Sequence, residues 1–291
     1  MRERAALVEA ALEQVVGTPQ GPASRLHEAM RYSLLAGGKR LRPVLALAAC
    51  EAVGGAPKDA LSFACAIEMI HTYSLIHDDL PCMDDDDLRR GRPTNHVVYG
   101  DAIATLAGDG LLTDAFKVLA SSELPRGSAP ASAIVQTIAE LASAAGSDGM
   151  VGGQVIDLLG EHRALTLDEL EQMHRKKTGA LFCAAVCCGA RLGGASEAQL
   201  DALRDYAQAL GLAFQVADDL LDVEASTDSV GKRTGKDSSH GKATYPSILG
   251  IARSHELARE LELKAHRALD AFDERATPLR ALATFAVERK S

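Results

Sequence analysis

Two aspartate clusters carry the strongest chemical signal in this chain of 291 residues. The first runs Asp78-Asp79-Leu80-Pro81-Cys82-Met83-Asp84-Asp85-Asp86-Asp87-Leu88-Arg89-Arg90-Gly91. Six carboxylates in ten positions repel one another, and a solvated acidic turn is the simplest account of such a run. Two features argue against it. The run directly follows the apolar stretch Ile67–Ile76, and Arg89-Arg90 comes at once after it. Carboxylates at the end of a buried helix need a counter-charge, which a hard divalent cation supplies. On an ideal helix Asp84 would point well away from Asp78. Pro81 forbids an ideal helix, so the local bend decides which carboxylates converge. The second cluster is Phe214-Gln215-Val216-Ala217-Asp218-Asp219-Leu220-Leu221-Asp222. Here Asp218 and Asp222 stand at i and i+4 on one helical face, with Gln215 one turn earlier. Neither Lys nor Arg is interleaved to pair with these carboxylates. Both clusters suit Mg²⁺, which takes a few carboxylates and completes its shell with water and phosphate oxygens.

Basic residues gather in three other places. Gly37-Gly38-Lys39-Arg40-Leu41-Arg42-Pro43 places three cations in a tight turn before a helix, a fitting phosphate site, although a plain basic surface turn reads equally well. Lys176-Lys177-Thr178-Gly179 offers a cation and a hydroxyl for a second phosphate. The loop Gly231-Lys232-Arg233-Thr234-Gly235-Lys236-Asp237, continuing to Gly241-Lys242, could fold cations over a metal-bound diphosphate. His71 and His77 are six apart and off one another's face, so they are no metal pair, but His71 lies two turns before Asp78. The sum is two anionic phosphorylated ligands, one bridged by Mg²⁺ between two helices and the other held by Lys and Arg. Carboxylates loaded with a divalent ion reverse the local sign and let an acidic chain bind anions.

The elements that must position these groups are helical almost throughout. Apolar residues recur at three- and four-residue spacing, and no run alternates as a half-buried strand does. The pattern predicts helices over 2–16, 23–36, 43–53, 58–79, 97–121, 130–146, 149–159, 167–191, 196–224, 244–273 and 278–289. Gly37-Gly38 and Gly54-Gly55 end helices, and Thr166 caps one. The segments 78–94 and 225–243 break the pattern and read as binding loops or lids. No repeat or linker divides the chain, so one all-α domain over residues 1–291 is expected. A net charge of −9 disfavours nucleic-acid binding, and 4% aromatics without Trp leave little to stack on bases. The longest apolar run, near 180–190, is too short to cross a bilayer, and the N-terminus lacks the apolar core of a signal peptide. A cytoplasmic location follows as the expectation. The six cysteines form no C-x-x-C pair, and five sit in apolar Ala-rich stretches, as reduced core residues do.

With these motifs in place, the chain resembles the short-chain trans-polyprenyl diphosphate synthases, the bacterial farnesyl diphosphate synthases above all. Asp78-Asp79-x4-Asp84 with Arg89-Arg90-Gly91 is similar to that family's first aspartate-rich motif, and Asp218-Asp219-x2-Asp222 to the second. Gly37–Pro43, Gly153-Gln154, Lys177-Thr178-Gly179 and Lys242-Ala243-Thr244-Tyr245-Pro246 match as well, in family order. The resemblance implies an all-α bundle around a deep cavity, assembled as a homodimer. It implies Mg²⁺ ligated by Asp78, Asp84 and Asp218, with Asp79 and Asp222 in support. Isopentenyl diphosphate would be bound by Lys39, Arg42, His71 and Arg90. The allylic diphosphate would be bound by Arg89, Lys177, Thr178, Gln215, Lys232 and Lys242. The residues implied in catalysis are Asp78, Asp79, Asp84, Arg89, Lys177 and Asp218.

The implied chemistry accounts for those residue types. An allylic carbon–oxygen bond ionises, the homoallylic double bond attacks the cation, and a proton leaves to the released diphosphate. Cations must stabilise the leaving group, and the cavity must stay dry. Tyr73 and Ser74 lie one helical turn deeper than Asp78, and the resemblance makes the residue five before the first Asp the floor that limits chain length. An aromatic there implies farnesyl diphosphate, with geranylgeranyl diphosphate as the alternative. A non-catalytic regulatory subunit typically lacks one aspartate motif, and both are intact here. A class I terpene cyclase would lack the second motif and the Gly37–Pro43 cluster.

Overall fold

The computed structural model of the chain describes residues 1–121, 124, 127, 129–160, 163, 165–228 and 243–289, the side chains of 225–228 excepted. Fourteen α-helices follow one another among these residues. They are α1 (Arg2–Val15), α2 (Ser24–Leu34), α3 (Leu41–Ala52), α4 (Pro57–Asp78), α5 (Asn95–Tyr99), α6 (Asp101–Ala120), α7 (Ala131–Ala145) and α8 (Met150–Gly160). After them come α9 (Leu167–His174), α10 (Ala180–Leu192), α11 (Glu197–Asp228), α12 (Tyr245–Leu249), α13 (Ile251–Ala268) and α14 (Thr277–Glu288). A two-strand ribbon, β1 (Leu88–Arg89) and β2 (Arg92–Pro93), is the sheet structure among the described residues.

The all-α expectation holds, with four local differences. First, α11 runs on to Asp228, into the segment 225–243 expected as a loop, and the remainder of that segment up to residue 242 lies outside the described residues. The expected helix 97–121 is two helices, because Gly100 takes φ 85° and breaks the backbone path between α5 and α6. Gly250, at φ 80°, likewise divides the expected 244–273 into α12 and α13. Within 167–191 the chain stays helical but widens into a π-turn at Arg175–Gly179, between α9 and α10. A side-chain and backbone capping box at Thr166 and Glu169 starts α9, as the sequence indicates.

Helices that are apolar on all sides belong inside. From Ala60 to Ile76 most of α4 is buried, and α3 and α10 are nearly as enclosed. α4 packs between α3 and α6, and α10 lies against α3. This is the larger core, and it encloses most of α4 between Ala60 and Ile76 while both ends of the helix come nearer to solvent. A smaller core of Leu170, Met173, Leu212, Val216, Leu220, Tyr245 and Ala258 joins α9, α11, α12 and α13. The fully buried Tyr206 donates its hydroxyl hydrogen to the Leu279 carbonyl at 2.7 Å and ties α11 to α14. None of the described helices is long and apolar enough to cross a membrane. All six cysteines are free thiols. Cys50, Cys65, Cys187 and Cys188 are buried, Cys183 is half-buried and Cys82 is exposed.

Candidate active site

At Asp78 the helix α4 ends and the chain turns back over its own tip. The Asp84 N–H donates to the Asp78 carbonyl at 2.8 Å, and the Asp86 N–H to that of Asp79 at 3.2 Å. The bend at Pro81 thus returns Asp84 to the level of Asp78. The two leading aspartates then part company. The Asp78 Oδ1 accepts from the Gln154 amide at 2.7 Å, and Asp78 faces a cleft. Asp79 turns to the other side, 3% exposed, and takes the Arg89 guanidinium in a fork with distances of 2.6–2.9 Å. Arg89 is held for this by the ribbon. Leu88 pairs with Pro93 and Arg89 with Arg92, leaving Arg90 (φ 53°) and Gly91 (φ 74°) as a two-residue turn. Two positive φ values make this the turn that matches strand twist, which is why a glycine follows the arginine pair. Burial raises the Asp78 pKa and nearby Asp84 adds to that, against the pull of Lys177, Gln154 and Arg89.

The facing wall comes from α11. Asp218 is half exposed, and its Oδ1 accepts from Arg289 at 2.8 Å. Arg289 also donates to the Phe214 carbonyl at 3.0 Å and lies 3.7 Å over the Phe214 ring. Asp219 turns inward, 6% exposed, and accepts the backbone N–H of Tyr245 at 2.9 Å. The middle aspartate of each cluster therefore anchors the scaffold, Asp79 through an arginine and Asp219 through the start of α12. Asp222 is exposed one turn beyond Asp218.

Lys177 and Thr178 sit in the π-turn, which brings both to the cleft. Such widened turns recur at functional sites. Lys177 Nζ meets Asp157 Oδ2 at 2.6 Å. Burial works against its charge, but Asp157 and Asp78 more than offset that and raise its pKa. α8 approaches the turn so closely that a Cβ at Gly153 would overlap the Lys177 backbone.

The three cations of the Gly37–Pro43 turn do not converge on one phosphate. Arg40 points inward to Glu9 at 2.6 Å, Glu68 at 2.7 Å and the Leu34 carbonyl at 2.7 Å. Lys39 is exposed and lies 5.9 Å from the Phe285 ring centre. Arg42 alone of the three lines the cleft. It stacks on Phe182 at 5.1 Å, its Nε is buried without a hydrogen-bond partner, and among the described residues no carboxylate forms an ion pair with it. Burial lowers its pKa to about 10, so it keeps its charge at neutral pH. His71 is driven well below its usual range by burial and by Arg42, Arg90 and Arg89, and is neutral.

The cleft has a volume of about 300 Å³. Of the residues singled out in the sequence it is lined by Arg42, His71, Ser74, Asp78, Arg89, Arg90, Gln154, Lys177, Thr178, Gln215 and Asp218, with Leu75, Met150 and Phe214 as its apolar part. Asp79 instead lines a smaller cavity of about 50 Å³ behind Arg89 and Arg90. Tyr73 is in the core, 5% exposed, with its ring edge-on to His77. Lys232 and Lys242 lie outside the described residues. Among the described residues no three His, Cys, Asp or Glu side chains converge as a ready-made metal site. The donors nevertheless fit Mg²⁺ shared with a ligand. Asp78 on one wall is repelled by Asp84 beside it, which does not itself line the cleft, Asp218 stands on another wall, and all are hard oxygen donors. Sequence reasoning gave no role to Asp157, His174 or Arg289, which hold Lys177, Gln215 and Asp218 in turn. Asp157 stands three residues after Gln154 on the same helix, which is the signal that could have found it.

Comparison with known proteins gives a consistent picture. Residues 23–276 match the polyprenyl synthetase family. The chain is 49% identical, over 99% of its length and 78% of the relative's, to heterodimeric geranylgeranyl pyrophosphate synthase large subunit 1 of Arabidopsis thaliana. It is 52% identical, over 88% of its length and 85% of the relative's, to the farnesyl diphosphate synthase of Geobacillus stearothermophilus. In three dimensions it is similar to the crystal structure of an FPP/GFPP synthase from Zymomonas mobilis, with a TM-score of 0.88 and 40% identity over 98% of this chain and 96% of that one.

Proposed function

The chain belongs to the polyprenyl synthetase family, and on that premise we propose that this short-chain trans-prenyltransferase joins isopentenyl diphosphate to dimethylallyl and then geranyl diphosphate, releasing farnesyl diphosphate. The observation that carries the reading is the chemistry of one cleft. Arg42, a cation with no ion-paired carboxylate among the described residues, shares it with Asp78 and Asp218 on separate walls.

In this reading Arg42 and Arg90 take the isopentenyl diphosphate, with neutral His71 beside them. Lys177, Thr178 and Gln215 take the allylic diphosphate. Bound Mg²⁺ would supply positive charge at the leaving diphosphate. Asp78, Asp84 and Asp218 would hold it. The Lys177 ammonium, kept charged by Asp157 and Asp78, stands where negative charge builds as the carbon–oxygen bond breaks. Leu75, Met150 and Phe214 keep water from the allylic cation. The π-bond of isopentenyl diphosphate attacks that cation, and the proton lost afterwards goes to the released diphosphate. Farnesyl as the product rests on Tyr73. We further infer a single catalytic domain, a homodimer and a cytoplasmic location. Exposed Val97, Val98 and Leu106, on α5 and the first turns of α6, are apolar side chains that a second copy would cover.

The test is an incubation with isopentenyl and geranyl diphosphates, with and without Mg²⁺, following diphosphate release and identifying the prenyl product by chromatography. A fifteen-carbon product that vanishes with chelator is expected. Absence of condensation, or condensation indifferent to chelator, would overturn the reading.

A further inference from the structure

Gln215 brings a carboxamide to the cleft, and a carboxamide has two unlike ends. Its NH₂ suits a diphosphate and its carbonyl oxygen does not. Which end meets the ligand is decided behind it, where the amide nitrogen lies 3.2 Å from Nδ1 of His174. His174 closes α9, 7% exposed, and stacks on Tyr245 with 5.5 Å between ring centres and 19° between planes. Burial lowers its pKa to about 4, with Asp157 pulling it up and Lys177 pushing it further down. The ring is thus neutral at neutral pH, with one proton on one of two nitrogens. Its Nε2 is buried and meets no hydrogen-bond partner. A proton there would leave an orphaned buried N–H, which native interiors almost always avoid. On Nδ1 the proton is donated to the Gln215 carbonyl oxygen, and rotation of the amide by half a turn sends the NH₂ to the cleft.

We propose that His174 is a positioning residue for the allylic diphosphate, its Nδ1–H holding the Gln215 carboxamide so that two N–H donors face the cleft. The proposal rests on the function inferred above but concerns a residue one step removed from the ligand. The Tyr245 ring that supports the imidazole is itself fixed by the bond from its backbone N–H to Asp219. Imidazole, amide and second aspartate cluster are therefore one connected unit.

Two variants separate the bond from the packing. His174→Phe keeps the stack on Tyr245 and removes the bond. His174→Asn carries an amide N–H near the position of Nδ1 and gives up the stack. In the condensation assay His174→Phe should raise the allylic KM roughly five- to tenfold, the effect of losing about one hydrogen bond, and leave the isopentenyl diphosphate KM nearly unchanged. His174→Asn should stay close to the wild type for both. Long-range ¹H–¹⁵N spectra of histidine-labelled wild-type protein should place the His174 proton on Nδ1. A proton on Nε2, an unchanged allylic KM in His174→Phe, or an equal rise for both substrates would overturn the proposal. Should His174→Phe fail to fold by circular dichroism, the tautomer and the Asn variant decide. A wild-type chain that does not condense would sink the proposed function, while the spectrum would still settle the imidazole.

Discussion

Asp78 and Asp79 are neighbours with opposite duties. Asp78 faces the cleft with a carboxylate whose burial is unfavourable, whereas Asp79 is bound by the fork of Arg89. Removing each should therefore register in a different measurement. Asp78→Ala should cut Mg²⁺-dependent turnover at least about a hundredfold, since metal stabilisation of developing charge contributes several kcal/mol, and leave the melting temperature near the wild type. Asp79→Ala should destabilise the fold by roughly 1–3 kcal/mol, less than for a fully buried pair because Arg89 keeps about a third of its side chain in water. Steady-state kinetics and thermal melts on the two proteins check this, and a reversed pattern would mean that the roles are exchanged. Residue type and spacing mark both residues equally, and only the family resemblance ranks Asp79 as a supporting one. What separates them is the direction in which α4 presents each carboxylate at its last turn, and that depends on where Arg89 is delivered by the ribbon.

Among the elements, the π-turn does most to shape the site. It sets Lys177 and Thr178 toward Asp78, and it tolerates α8 at its back only because residue 153 has no side chain. Gly153→Ala should cost about 1–3 kcal/mol by overpacking, and should reduce turnover as well by displacing the Lys177 backbone. Equilibrium unfolding together with kcat on the variant tests the coupling, which fails if stability drops and kcat does not. The motif Lys177-Thr178-Gly179 was readable in the sequence, but the widened turn was not. The π-turn joins α9 to α10 with α8 packed at its back, and no residue type signals it locally. The breaks at Gly100 and Gly250 were missed for another reason. Each glycine sits inside a stretch whose apolar spacing stays helical on both sides, so only the positive φ reveals the interruption. The long helices, their buried faces and the two aspartate clusters were legible because periodicity and charge density are properties of the sequence itself.

At the scale of the whole molecule, the charges buried around the cleft set how stability responds to pH. His174 is protonated near 6.5 when unfolded and only near 4 when folded, so acidification favours the unfolded chain across that interval. The loss attributable to this ring is about 2 kcal/mol between pH 7 and pH 5. Asp78 and Asp79 act in the opposite sense. Their folded pKa values are raised, mainly by burial, so the folded state takes up protons first and gains relative stability on acidification. The slope due to His174 is isolated by comparing denaturation midpoints of the wild type and His174→Phe at both pH values. Equal slopes would remove His174 as the cause. In the proposed function the bundle also sets product length. Tyr73 packs edge-on to His77 beside the cleft residue Ser74, and Tyr73→Ala should open room there for a longer chain. The variant should shift product from fifteen carbons toward twenty or more while condensation persists. Chromatography showing an unchanged product would place the floor elsewhere. The distribution of thiols has a practical consequence for labelling the chain. Burial pushes Cys50, Cys65 and Cys187 to about 12 and Cys183 to about 11, so their reactive thiolate forms are scarce at neutral pH. Cys82 is the exposed exception, on the bend that returns Asp84 to Asp78. The chain therefore carries a naturally addressable handle on the bend next to its first aspartate cluster, where a maleimide dye can be placed without any engineered cysteine.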